Sequence, residues 1–123
     1  MNPQLQALLQ QAIQAFQGGN FTKAEEALQY FLNVKPTEFD ALHLLAIVYA
    51  SQNKHDKALE WYEKALNIIP NDASALSNYA SSLSAIGRNQ EALNILNKVL
   101  EINAGLAEKF SIQSGYKINI ILK

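Results

Sequence analysis

The feature that most constrains this chain is a period of about 34 residues that runs through it without a gap. Pro36, Pro70 and Ala104 stand one period apart. The same offset joins Leu8, Leu42 and Leu76; Ala12, Ala46 and Ala80; Ala24, Ala58 and Ala92; Leu28, Tyr62 and Leu96; and Leu32, Leu66 and Leu100. Within the period from Ala41 to Pro70, apolar or small residues recur at Leu42, Leu45, Ala46 and Tyr49, then at Ala58, Tyr62, Ala65 and Leu66. That is the three-and-four spacing of one helix face, given twice, with a polar break at Gln52-Asn53-Lys54 between the two runs. One period is therefore a helical hairpin. Neither of its helices can hide its stripe alone, and Ala46, Ala58 and Ala65 allow two backbones to approach closely while Leu, Tyr and Trp fill the space around them.

At this point the sequence resembles the tetratricopeptide repeat (TPR) family, a helix-turn-helix unit of this length with apolar, Leu-small, aromatic, small and closing Pro positions at these offsets. The best copy is Ala41-Leu42, Leu45-Ala46, Tyr49, Ala58, Tyr62, Ala65 and Pro70, and the resemblance covers Leu5 to Leu106. The other two copies depart from the pattern: Gln11 replaces the usual Leu, Ala15 and Leu83 the aromatic, Phe31 and Val99 a small residue, and Ala104 the proline. The resemblance implies an all-α, right-handed α-solenoid in a single domain, 1–123. Its three repeats would span about residues 5–38, 39–72 and 73–106, with a C-terminal capping helix at 107–123. A cap is expected because the last hairpin of a solenoid otherwise exposes its apolar face.

Local signals place six helices. Asn2 is the expected N-cap of a first helix from Pro3 to Gln17, since proline at the first helical position loses no hydrogen bond. Gly18-Gly19-Asn20 supplies a turn, and a second helix from Phe21 to Val34 ends at Lys35-Pro36. Thr37, with Asp40 three residues on, reads as a capping box for the third helix; Asn71 does the same for the fifth, Gly87 marks the third internal turn, and Asn89 is a candidate cap for the sixth. Beyond Ala104 the repeat pattern fails. Phe110 lies one period after Leu76, but Gln113, Ser114 and Lys117 stand where Leu, a small residue and an aromatic belong. Leu106 to about Ile121 is read as the cap, and the apolar run Ile118 to Leu122 points to a partner surface or a continuing chain.

Composition narrows the function. Ten basic against eleven acidic side chains give a formal charge of −1, which offers no electrostatic reason to expect nucleic acid or an anionic membrane. There are no cysteines, so disulfides and cysteine-based zinc or redox sites are excluded. The first residues carry no positive cluster of a signal peptide and no apolar run approaches the roughly 18 residues of a span, so a cytoplasmic chain is expected. No catalytic, cofactor or metal site is expected either. His43 and His55 fall on different helices without carboxylates at ligand spacing, and His55 beside Asp56 reads as a solvated turn residue. Trp61 reads as core. Gly18-Gly19 lacks both the Lys-Ser/Thr and the preceding strand of a phosphate loop, and the serines from Ser74 to Ser84 have no histidine base in their stretch.

What remains is a surface. In the family the first helix of each hairpin lines the concave side, which implies a groove contributed by Leu9, Ile13 and Phe16, then Asp40, His43, Leu44 and Ile47, then Ser74, Asn78 and Ser81. Apolar side chains that a helix does not need for packing are informative, because water disfavours them. Chaperone-binding family members hold a carboxylate with lysines, asparagines and an arginine where this chain has Leu9, Ile13, Leu44, Ser74 and Asn78, so an acidic chain end is disfavoured. The asparagine ladder of the O-linked N-acetylglucosamine transferase repeats is matched only by Asn78. The expectation is a non-enzymatic module that binds a peptide or helix of a protein partner, without nucleic acid or membrane. The alternatives are the repeat segment of a larger enzyme, such as a glycosyltransferase or methyltransferase, and a scaffold that self-assembles through the solenoid ends.

Overall fold

The computed structural model describes residues 2–114, with side chains described through residue 106. Its six helices are α1 (Pro3–Gln17), α2 (Phe21–Val34), α3 (Phe39–Ser51), α4 (His55–Ile68), α5 (Ala73–Ala85) and α6 (Asn89–Ser114), and no strand occurs among the described residues. Consecutive helices pair as hairpins, α1 with α2, α3 with α4 and α5 with α6, and each hairpin packs on the next through α2 on α3 and α4 on α5. The result is an all-α solenoid, as the period of the sequence requires.

The same turn closes every hairpin. Gly19, Asn53 and Gly87, each one period from the next, have φ of 77°, 63° and 84°. In each case the amide of the following residue reaches back to the last turn of the preceding helix: Asn20 N to Ala15 O at 2.8 Å, Lys54 N to Tyr49 O at 2.9 Å and Arg88 N to Leu83 O at 2.9 Å. This is a Schellman termination, whose left-handed residue is best glycine and next best asparagine. Gln52-Asn53-Lys54 thus does with Asn53 what the other two turns do with glycine.

Helix starts are less regular than the sequence signals suggest. Asn2 caps α1 as expected, its side chain accepting from Gln4 N at 2.8 Å. Asn20 caps α2 through Lys23 N at 3.2 Å. Thr37 does not cap α3. Glu38 stands at the N-cap and makes no side-chain cap bond. Asn71 likewise gives way to Asp72, whose carboxylate accepts from Ala75 N at 2.8 Å, and Asn89 is already the first residue of α6. For Thr37 and Asn71 the reason is the prolyl turn: Lys35 and Ile69 leave the helical backbone before the proline, and one further residue is needed before the chain can turn into the next helix.

Most of the core lies between the first two hairpins. Leu28, Phe31, Leu45, Val48 and Tyr62 are fully or almost fully buried there, and a second cluster of Leu59, Ala80, Leu83 and Ala92 joins α4 to the third hairpin. Phe31, at a position where the pattern wants a small residue, fills the first hairpin. Polar contacts bridge the same interfaces. Tyr49 donates to Glu25 Oε1 at 3.0 Å and accepts from Gln29, and Tyr79 donates to Glu63 Oε1 at 2.9 Å. The inner helices α3 and α5 touch each other, whereas a cleft of about 370 Å³ lined by Gln29, Leu32, Asn33, Pro36, Trp61 and Lys64 opens between the outer helices α2 and α4.

The C-terminal region departs from the expected separate cap. α6 passes through Ala104 without a break and reaches Ser114, because alanine stands where Pro36 and Pro70 force the earlier turns. Residues 107–114 therefore continue α6, and the remainder of the expected cap, 115–123, lies outside the described residues.

The buried alanines give a direct test of the close helix approach. Ala46 is completely buried between α3 and α4, so Ala46→Leu should overpack the hairpin and cost about 1–3 kcal/mol. The check is the urea midpoint, and equal midpoints for variant and parent would refute the close approach.

Candidate functional site

The residues expected to line a groove lie on α1, α3 and α5 and differ in exposure from helix to helix. Leu9 and Phe16 of α1 and Leu44 and Ile47 of α3 are half-buried and lie against the main core, with Ile13 half-buried as well. The Phe16 ring meets Phe21 at the start of α2, 5.9 Å between centroids, which fixes the anchor end of α1. Asp40, Ser74 and Ser81 are exposed. These apolar side chains complete the core with part of their surface and leave the rest exposed to solvent.

The closest juxtaposition among the expected groove residues is between the second and third repeats. Asn78 Nδ2 lies 3.0 Å from His43 Nε2, so the amide donates and the imidazole accepts, which puts the ring proton on Nδ1. Around this pair runs an aromatic series that the sequence pattern did not single out. Phe39 stands 5.6 Å from His43, His43 6.0 Å from Tyr62, and Tyr62 6.3 Å from Tyr79. Phe39 was legible in principle, since it lies four residues before His43 on the same face of α3. Tyr79 occupies the register of Leu45, and the extra reach of its ring carries its hydroxyl out to Glu63. Burial is the main reason that the Tyr62 and Tyr79 hydroxyls are each pushed up to about 12, so both stay protonated at any physiological pH.

His55 differs from expectation. It is half-buried rather than solvated, with Nδ1 3.0 Å from Ser82 Oγ and Nε2 2.9 Å from Asn53 Oδ1. Hydroxyl, imidazole and amide carbonyl stand in the order of a nucleophilic relay. Ser82, however, is only 1% exposed, and it does not line the cleft of about 470 Å³ that runs past His55, Lys57 and Ile86. The hydroxyl has no path to a substrate, and the three residues tie α4 to α5. This pairing was hidden in the sequence because 27 residues separate His55 from Ser82. Trp61 is half-buried against the core, with the Lys64 ammonium 4.0 Å above its ring. Among the described residues no group of three or more His, Cys, Asp or Glu is placed to hold a metal ion, and no helix is long and apolar enough to cross a membrane.

Comparison with known proteins places the architecture. Tetratricopeptide repeat family models match residues 6–36 and 38–104. The chain belongs to the tetratricopeptide repeat family. It is 41% identical over 61 residues to the tetratricopeptide repeat protein 36 homolog of Drosophila melanogaster, a match that covers 50% of this chain and 32% of that protein. A crystal structure of MamA superposes with a TM-score of 0.80 at 29% identity, covering 85% of this chain and 61% of that one. The Thermobaculum terrenum O-GlcNAc transferase aligns with a TM-score of 0.74 at 28% identity, covering 80% of this TPR chain and 19% of the transferase. The chain thus spans about a third of a curated relative and less than two thirds of the MamA chain. As a TPR solenoid it is a protein-interaction module.

The His43–Asn78 contact predicts a pH dependence. Desolvation pulls the His43 imidazole below its ordinary value, only partly offset by Asp72 and Asp40. The unfolded chain therefore binds this proton more readily than the folded one, and stability falls as pH drops below about 6.5 towards the lower folded value. Above that window the neutral ring contributes in full. Urea midpoints at neutral and mildly acidic pH should show a loss in the parent that shrinks in His43→Gln; an identical loss in both would exclude His43 as its source.

Proposed function

We propose that this chain is a non-enzymatic binding module that holds a short peptide or helix of a protein partner in the groove formed by α1, α3 and α5. The observation that carries the reading is the half-exposed apolar side chains of Leu44 and Ile47 on α3 and Phe16 on α1, together with the hydrogen-bonded pair His43 and Asn78 on α3 and α5. An apolar anchor flanked by a few fixed polar groups suits an amphipathic segment, whose side chains enter the row while its polar edge meets the amide of Asn78 and the hydroxyl of Ser81. Asp40, Ser74 and Ser81 form the wetter rim. The groove offers no lysine or arginine from its expected residues, so recognition rests on shape and apolar contact rather than on capture of a carboxylate.

A second reading is favoured by one observation. The chain spans only 19% of the O-GlcNAc transferase to which it is structurally similar, a size relation that fits a repeat segment recruiting substrate for a larger enzyme. The same groove would then serve the enzyme's protein substrates. The length of the native open reading frame separates this reading from a free-standing module.

The test compares neighbours on α3. Leu44 is half-buried and Leu45 is completely buried, although they are adjacent in sequence. An anchor of leucine size contributes on the order of 1.5–3 kcal/mol when buried, which is roughly ten- to a hundredfold in affinity. Peptides selected on the parent from a displayed library should therefore lose at least about tenfold in affinity for Leu44→Asp while its circular dichroism stays helical. Leu45→Asp should unfold the domain. Selected peptides that bind Leu44→Asp as well as the parent would remove this groove as the site.

A further inference from the structure

The charged residues of this chain are not spread evenly over its helices. α1, α3 and α5 hold no lysine or arginine at all, and Asp40 is their only formal charge. Every Lys and Arg through residue 114 stands on α2, α4, α6 or a connection between helices. The residues that precede α3 and α5, Glu38 and Asp72, lie one period apart and are both acidic. α2, α4 and α6, by contrast, mix both signs.

Helix chemistry accounts for part of this pattern. Acidic side chains are favourable at a helix start, and the Asp72 carboxylate accepts from Ala75 N at 2.8 Å. Glu38 makes no such bond, Asp40 is exposed, and neither effect keeps lysine and arginine off the rest of three helices.

Asp40 is also placed beside the half-exposed apolar side chains of α3. Leu44 and Ile47 follow it by four and seven residues, so the three share one helix face, and the carboxylate sits one turn, about 6 Å along the axis, from Leu44. Asp72 bears on the same place from the start of α5. Desolvation lowers the His43 imidazole, and Asp72 and then Asp40 oppose it, so both carboxylates act on the ring that accepts from Asn78. Phe39 stands 5.6 Å from that ring and adds an aromatic face beside the acids. The ion pair found among the described residues, Arg88 with Glu91, involves none of these carboxylates.

We propose, resting on the binding reading above, that the partner segment is basic: an amphipathic peptide or helix that sets apolar side chains on Leu44 and Ile47 and a lysine or arginine, one turn away, among Glu38, Asp40 and Asp72. An acidic segment would meet only like charge there.

Peptides selected on the full chain from an unbiased displayed library should carry lysine or arginine beside their apolar residues and bind one to one, with affinity falling as salt is raised. Glu38→Gln, Asp40→Asn and Asp72→Asn together remove the charge, while asparagine keeps the cap of α5, and should cost these peptides roughly tenfold in affinity. Neutralising three exposed acids elsewhere, with Glu26→Gln, Glu60→Gln and Glu101→Gln, should leave the affinity unchanged. Asp40→Lys should prefer versions of the peptides in which glutamate replaces the lysine. Selected peptides that are neutral or acidic, or that bind the neutralised variant as well as the parent, overturn this inference; if they still lose affinity for Leu44→Asp, the binding surface itself stands. Peptides that ignore Leu44→Asp as well remove that surface. A full chain that self-associates and yields no peptide would assign the face to a second copy and overturn the proposal too.

Discussion

The structure depends on small, buried alanines at matching positions of the paired helices. Ala12 and Ala24, Ala46 and Ala58, and Ala80 and Ala92 recur in register, and all six are buried or nearly so. A small side chain at the crossing point brings two backbones together, and the longer residues around it then interdigitate at the density of a protein interior. Everything else follows from that spacing. With the hairpin closed, Leu28, Leu45 and Tyr62 have no further room within it and must be covered by the next hairpin. Stacking is therefore obligatory, and the chain becomes a solenoid because each unit leaves one apolar face for its neighbour.

Apolar contact alone would not fix how the hairpins are turned relative to each other. The polar links do so. Glu25, Gln29 and Tyr49 meet between the first and second hairpins, and His55 with Ser82 and Glu63 with Tyr79 meet between the second and third. Each needs its partner at hydrogen-bond distance, and a slip of one helical turn would leave a half-buried donor or acceptor unpaired at a cost of about 1–3 kcal/mol. The two sets of links are not copies of each other. Glu25 is replaced by Leu59 one period on, and the tie moves to a different pair of residues. The repeat thus keeps its small and apolar positions from copy to copy while each interface carries its own polar key.

The fold was legible in the sequence because its determinants are local and periodic. The bounds of α1 and α2 follow from Asn2-Pro3, Gly18-Gly19 and Pro36, and the three hairpin turns follow from residues that tolerate a left-handed backbone. What the sequence hid depends on distance along the chain or on competition between signals. Thr37 and Asn71 look like caps, yet each prolyl turn consumes one more residue and hands the position to Glu38 and Asp72. His55 looks solvated until a serine from the next hairpin is brought to it. In the sequence, His43, Asn78 and Tyr62 were legible separately, but not the contact of His43 with Asn78, nor the rings of Phe39 and Tyr79 in the same series.

The first and last described helices depart from the repeat pattern in opposite ways. At the start, Gln11 and Gln14 take the places where the inner helix of the second repeat carries Leu45 and Val48, so α1 meets water with amides. At the other end the leucines of α6 keep the full apolar pattern, and Ala104 lets the helix run on where proline would have turned it.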